Sequence, residues 1–182
     1  MVTFHEKSYA DRARNLKGLA FGDTNKFMHK DIGYNYRMTN LQAAVGHAQF
    51  QKIEQIITRK REISRYYSDR FATMKEVQLP AEKPYARNVY WMYHLVLSDH
   101  NQGLRMEVMR RLADVGIETR ETFIPYNLQD HFIKQGLVNP DSCPNANVVA
   151  YAGFYLPSGV GLTEEDLDYV ATQFIQIISK PC

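Results

Sequence analysis

The chain has 182 residues, 45% of them hydrophobic and 23% charged, an ordinary globular composition with length for one domain or slightly more and for a sizeable core. Its 22 basic and 20 acidic residues leave a net charge of +2, so no long-range field selects nucleic acid, an anionic membrane or an acidic substrate. The two cysteines, Cys143 and Cys182, belong to no CxxC or His-flanked spacing, which argues against a zinc site and fits a reducing cytoplasm.

Met1 to Phe4 is followed at once by His5, Glu6 and Lys7 rather than by an apolar run, unlike a signal peptide. No stretch approaches the roughly 20 apolar residues of a membrane span, and a soluble, cytoplasmic protein is expected. The strand-like piece Val2-Thr3-Phe4 leads directly into helical pattern, as an interior piece of a larger fold would begin.

In chain order, Ala10, Ala13 and Leu16 place an amphipathic helix over 7–18, with Gly18 as its stop. Residues 19–38 show no period but hold Gly22, Asp23, Gly33 and Asn35 among aromatic residues. That predicts a long irregular loop of the kind that carries function. Thr39 with Gln42 forms a capping box, and apolar residues then recur helically from Leu41 through Val45, Ile53, Ile57, Ile63 and Tyr67 to Phe71. With only Gly46 to interrupt it before Pro80, one helix of about 35 residues and about 50 Å is possible. A kink near Gly46, or a helix bridging two bodies, follows.

The remainder reads as a compact α+β unit. Strands are expected at 77–79, 90–97, 117–119 and 154–156, and helices at 104–114, ending at Gly116, and at 145–151. An aromatic loop runs through Phe123, Pro125 and Tyr126. The final helix is capped by Thr163, complemented by Glu164, Glu165 and Asp166, and stapled by Leu162 to Leu167.

The six histidines (His5, His29, His47, His94, His100 and His131) are scattered, with no HxxxH pair, and no metal site is expected. GxSxG, Walker A and GxGxxG are absent. The basic run Arg59, Lys60, Arg61, Arg65, interleaved with Glu54 and Glu62, reads as a solvated face. Of Tyr90, Trp91 and Tyr93, most are expected to be buried, with Trp91 the exception. The most informative stretch is Gly33-Tyr34-Asn35-Tyr36-Arg37-Met38-Thr39-Asn40-Leu41-Gln42-Ala43-Ala44. An amide and a guanidinium there precede a helix N-terminus, which favours phosphate. Alternatively, Asn35 makes a turn and Arg37 pairs with a carboxylate such as Asp31.

That stretch, with His29 and Ile32 before it, closely resembles the GYNYRM(T/S)NLQAA signature of the DegT/DnrJ/EryC1/StrS family of sugar aminotransferases. The likeness continues through Asn88-Val89-Tyr90-Trp91-Met92-Tyr93, Gly116-Ile117-Glu118-Thr119-Arg120, Pro144-Asn145-Ala146, and Tyr155-Leu156-Pro157-Ser158-Gly159 before Leu162-Thr163. It covers nearly the whole chain and is nearest to the perosamine-forming branch, which aminates the C4 ketone of a GDP-linked 4-keto-6-deoxy sugar with glutamate as donor.

The resemblance implies the C-terminal part of a type I pyridoxal phosphate (PLP) transferase fold, α+β in class. Residues 1–50 would be a remnant of the large cofactor domain with a dimer-interface loop, 51–75 a bridging helix, and 76–182 a small domain with a short antiparallel sheet and flanking helices. It implies PLP as cofactor, with Asn35 and Arg37 at the phosphate held by a partner subunit. It further implies that His29, Tyr36, Trp91, Arg120 and Asn127 contact the nucleotide-sugar. Asn127 departs from the pattern, since Pro125-Tyr126-Asn127 stands where many relatives have Pro-Leu-His or Pro-Met-His.

The family's cofactor lysine lies shortly before a GEGGM(V) segment at whose Met this chain opens, and none of its ten lysines sits in an equivalent motif. Alone, the chain is expected not to transaminate, because PLP chemistry needs that lysine. It would act with a companion N-terminal half. The alternatives are a non-catalytic dimerisation module binding a full-length relative, and a stand-alone nucleotide-sugar binder. An apolar face over 19–50 would make the chain a homo-oligomer or prone to aggregation.

Overall fold

The computed structural model describes residues 2–22, 25, 27–29, 31–100 and 102–179; Asp23 of the long loop and Cys182 lie outside them. The chain divides into two compact units, residues 1–53 and 54–182.

In the first unit, α1 (Lys7–Lys17) ends at Gly18 and α2 (Asn40–Phe50) begins behind the Thr39–Gln42 capping box, as expected. Between them the chain is not simply loose. Residues 33–36 run back against 16–20, where Tyr34 N–H donates to Leu16 O (2.6 Å), Leu19 N–H to Tyr34 O (3.2 Å) and Tyr36 N–H to Lys17 O (3.1 Å). Gly18 and Asn35 form an antiparallel bridge. Every residue of α2 is exposed, Leu41 at 82% and Phe50 at 70%.

The expected long helix is instead two. After α2 the Lys52 N–H bonds Gln49 O, an i→i−3 closure that tightens and ends the turn. A new helix, α3, then runs Ile53–Phe71. Gly46 sits inside α2 with nothing near it, so the interruption falls after it.

The second unit is built on a four-stranded antiparallel sheet in the order β1-β2-β4-β3. Its strands are β1 (Val77–Gln78), β2 (Tyr93–Leu97), β3 (Arg120–Glu121) and β4 (Gly153–Leu156). Around it stand α3, α4 (Gln102–Asp114), α5 (Asp130–Lys134), α6 (Pro144–Ala152) and α7 (Glu164–Ile178). Alternation sorts the side chains: Tyr93, Leu95 and Leu97 share a face with their cross-strand neighbours Phe154 and Leu156. That face joins a buried core with Ile63, Tyr67 and Phe71 of α3 and Leu167, Val170 and Phe174 of α7. Phe71 and Phe174 meet edge to face at 4.9 Å, and Tyr67 stacks on Phe71 at 5.8 Å. From Glu54 onward the 51–75 segment therefore packs as part of the second unit.

Two expected strands shift. β2 starts at Tyr93 rather than Tyr90, because the Tyr90 N–H is taken by Asn88 Oδ1 (2.8 Å) and Trp91 O by Lys60 (2.8 Å), and Tyr90 has φ 45°. The 117–119 strand is displaced to 120–121, because buried Ile117 wraps the end of α4, its N–H bonding Leu112 O. The turn needs Gly116 at φ 79°.

On the sheet's other face Arg120, Tyr155 and His94 form one row across β3, β4 and β2. His94 stacks on Tyr155 at 4.9 Å and shares a 2.7 Å hydrogen bond with Thr122 Oγ1. Fully buried Arg105 ties α4 to this edge, donating to Ala150 O (2.8 Å) and to Glu121 Oε2 (2.6 Å). α7 carries the expected capping box, Thr163 with Asp166.

Phe174→Ala should lower the unfolding free energy by roughly 3–5 kcal/mol, read by urea denaturation. Burial also holds the His94 imidazole below its ordinary pKa of 6.5. The unfolded chain therefore takes up the proton first as pH falls, so His94 contributes stability that is present above pH 6.5 and lost below it. Urea midpoints from neutral pH down to pH ~5 should fall less steeply in His94→Gln than in the parent.

Candidate functional site

In the first unit the Gly33–Arg37 segment is fixed by close backbone approach. A Cβ on Gly33 would lie well inside contact distance of Leu19 C and Ala20 N, so only glycine allows the bridge that presents Asn35. A Cβ on Gly18 would meet Arg37 Nη2 at 2.6 Å; the guanidinium lies across that glycine. Arg37 and Asn35 are both exposed. Asp31, the candidate partner for Arg37, is instead paired with Arg12. Arg37 has no carboxylate partner among the described residues. The start of α2 is less open than its sequence suggests, because the Thr39 side chain accepts the Gln42 N–H (3.3 Å) and Gln42 Oε1 accepts the Thr39 N–H (2.9 Å). An anion here would depend on Arg37 and the Asn35 amide more than on helix-end amides.

Tyr36 stacks on Tyr34 at 5.2 Å and is largely exposed. His29 is exposed, its Nδ1 bonded to Leu19 O (2.8 Å) and its ring tilted on Phe21. The Gly33–Arg37 strap thus displays Asn35, Tyr36 and Arg37, and His29 is exposed in the same unit.

In the second unit a cleft of about 420 Å³ is lined by Lys60, Trp91, Glu118, Arg120, Tyr155 and Ser158, among others, a size typical of ligand pockets (~300–1,000 Å³). It brings together Trp91 and Arg120. Trp91 is 63% exposed and stacked on Phe123 (6.3 Å, 8° between planes), while Phe123 meets Tyr155 edge-on. Arg120 is exposed on β3 and has no ion-pair partner among the described residues. Tyr93, by contrast, is fully buried and Tyr90 half-buried.

Asn127 stands apart. It is buried, and its amide group donates to Pro140 O (2.6 Å) and Asn147 Oδ1 (2.8 Å). Its side chain ties the 126–128 turn to the 140–142 turn and α6 instead of facing the cleft.

Lys60 lines the cleft too, although its basic run does not announce it. The run 59–61 is not a solvated face. Arg59 donates to Leu162 O (2.7 Å), Lys60 to Trp91 O (2.8 Å) and Ser158 O (2.7 Å), and Arg61 to Asn88 O (2.6 Å) and, bidentately, to Glu82 (2.8 and 3.1 Å). Only Arg65 of the run is exposed. Burial lowers the Lys60 pKa. The signal that could have found Lys60 was the pair of loops it joins, since both Asn88–Tyr93 and Tyr155–Gly159 belong to the matched motifs. Among the described residues no cluster of His, Cys, Asp and Glu could hold a metal ion, and no helix is long and apolar enough to cross a membrane.

The profile of the DegT/DnrJ/EryC1/StrS aminotransferase family matches residues 1–175. The chain belongs to this family. GDP-perosamine synthase of Escherichia coli O157:H7 is 31% identical over 179 residues, and that of Caulobacter vibrioides 28% over 179; each alignment covers 98% of this chain and 47% of the relative. The chain thus spans about half the length of these curated relatives. Among solved structures, the aminotransferase TlmJ from Streptoalloteichus hindustanus superposes with a TM-score of 0.83 at 22% identity, covering 97% of this chain and 46% of TlmJ. Spr1654 from Streptococcus pneumoniae in its PLP-form gives 0.84 at 18%, covering 96% and 44%. The α+β architecture is the one found in these aminotransferases.

PLP is the cofactor of the family. Its phosphate fits the residues present, since Arg37 offers a guanidinium without a carboxylate among the described residues and Asn35 an exposed amide on a braced segment. Gly33→Ala should break that brace. Amide hydrogen exchange of Tyr34 and Tyr36 should rise at least tenfold, which corresponds to roughly 1.4 kcal/mol of local stability, while amides of β2 and β4 stay unchanged.

Proposed function

We propose that this chain is the C-terminal portion of a PLP-dependent nucleotide-sugar aminotransferase that moves the amino group of glutamate to the C4 ketone of a GDP-linked 4-keto-6-deoxy sugar. The observation that carries the reading is Arg37, a guanidinium seated over Gly18, while Asp31, the carboxylate considered for it, is paired with Arg12. A dianionic phosphate completes such a group. The likeness to GDP-perosamine synthases supports the sugar.

In this reading Arg37 and Asn35 bind the cofactor phosphate of a partner subunit, while Tyr36 and His29 are substrate contacts. Trp91 and Arg120 contact the substrate from the cleft, and Asn127 positions the turns beside it. PLP, when bound, supplies the electron sink for moving the amino group.

A second reading, a non-catalytic module that docks on a full-length relative, is favoured by one observation. α2 buries none of its residues and exposes Leu41, Val45 and Phe50, an apolar surface of the kind that associates.

Co-expression with a polypeptide carrying the cofactor lysine separates the two. The enzyme reading expects a complex that retains PLP and forms a 4-amino sugar nucleotide from glutamate. Arg37→Ala should weaken PLP retention roughly ten- to a hundredfold, the effect of losing a hydrogen bond to a charged group. A complex that aminates normally with both Asn35 and Arg37 replaced by Ala would sink the assignment of these residues. Co-purification with a full-length relative, with no gain of PLP or activity, would favour the docking module.

A further inference from the structure

Within the second unit we infer that a cavity at the Leu97 end of β2, between α4 and α7, is a binding site for a small primary amine with a hydrocarbon body. Glu76 and Asp99 take the ammonium, and Leu97, Leu104, Val108 and Ile178 take the body. The site is independent of the proposed function. It shares no lining residue with the Lys60, Trp91 and Arg120 cleft, and it lies at the opposite end of β2, whose ends Tyr93 and Leu97 are roughly 13 Å apart at the rise of a strand.

The cavity holds about 250 Å³. Protein interiors leave few voids larger than a water molecule, and an apolar cavity of roughly 150 Å³ already accepts a benzene ring. Leu97 and Val108 are fully buried core residues, and Leu104 and Ile178 are packed against the same core. These four side chains offer a hydrocarbon surface and no hydrogen bond, so the buried part of a ligand must be apolar.

Charge decides the other end of the ligand. Glu76 and Asp99 line the same cavity and are exposed, and neither has an ion pair or a side-chain hydrogen bond among the described residues. No basic side chain lines the cavity among the described residues. The last turn of α7 at Ile178 brings the negative end of a helix, which the first turn of α4 at Gln102 offsets, so the two carboxylates set the sign. Ser98 fixes the backbone that carries them, donating its N–H to Glu76 O (2.8 Å) and its hydroxyl to Lys75 O (2.7 Å). A fatty acid or any other anion meets two like charges here. A bare metal ion lacks a third ligand among the described residues. An ammonium has three donors for two carboxylates, and its hydrocarbon body fills the remainder.

Phenethylamine is the probe, added to the intact chain with methyl groups labelled for NMR. It should shift the methyl resonances of Leu97, Leu104, Val108 and Ile178 saturably, while the indole resonance of Trp91, the chain's single tryptophan, stays in place. Methylamine, which has the charge without the body, and phenylacetate, which has the body with the opposite charge, should each need at least tenfold higher concentration. Combining Glu76→Gln with Asp99→Asn should weaken phenethylamine at least threefold, as the loss of two exposed ion pairs does. Val108→Phe should fill the cavity and abolish the shifts. Its urea midpoint is measured alongside, and the exposed Glu76 and Asp99 changes decide the matter if that variant unfolds. No saturable shift, equal binding of phenylacetate, shifts confined to the indole, or an affinity unchanged without the two carboxylates would each overturn the inference.

Discussion

Backbone carbonyls in loops have no ladder or helix to satisfy them, and in the second unit two such loops are held by one turn of α3. Arg59, Lys60 and Arg61 reach Leu162 O, Trp91 O with Ser158 O, and Asn88 O. Successive residues on a helix point about 100° apart, so three neighbours fan out to loops on different sides. A charged donor to a half-buried carbonyl contributes on the order of 1.5–3 kcal/mol, but position matters more than energy here. The clamp sets the start of β2 at Tyr93, fixes the Trp91 carbonyl and holds the 157–159 loop beside it. Ser158 adds its hydroxyl, which accepts the Tyr93 N–H at 3.2 Å. The cleft is what these loops leave between them and β3.

The first unit is governed by a different constraint, steric rather than electrostatic. Gly33 and Gly18 face the opposing chain so closely that side chains would collide. Leu19 and Ala20 adopt φ of 69° and 49° to make the return, a conformation that costs non-glycine residues about 1–2 kcal/mol each. Strain of this kind persists where surrounding bonds over-determine the backbone, and here the Tyr34, Leu19 and Tyr36 amides do so. The result is a short braced strap with alternating side chains, on which Asn35 and Arg37 point to one side and Tyr34 and Tyr36, stacked, to the other.

Much of this was legible in the sequence because it is local. Thr39 with Gln42, and Thr163 with Asp166, each carry a helix start within four residues, and Gly116 carries a helix stop. The GYNYR stretch is legible as a motif because its glycine, amide and guanidinium are fixed in spacing. What failed to show was non-local. The 90–97 run has the alternation of a strand, yet Lys60, 31 residues away, captures Trp91 O and shortens it. The 59–61 run has the composition of a solvated face, yet its partners lie up to 103 residues away. Asn127 reads as a substituted ligand position, whereas its amide is enclosed by Pro140 and Asn147, which no local pattern announces.

Pairing, rather than charge alone, separates the cations that hold the fold from those left for chemistry. Arg61 with Glu82, Arg70 with Asp168, Arg105 with Glu121, and Arg110 with Glu107 and Asp114 each have a carboxylate at hand. For these, function adds nothing that structure does not explain. Arg37 and Lys60 differ, since one lies across Gly18 and the other is clamped by two carbonyls, and neither fixture cancels a positive charge. Exposed cations such as Arg65 also lack partners among the described residues, but water solvates them and no contact there holds them in place. A cation that is both held and unneutralised is pre-organised for an anion, because the ordering cost has been met by the fold before the ligand arrives. That combination occurs on the strap of the first unit and again in the cleft of the second.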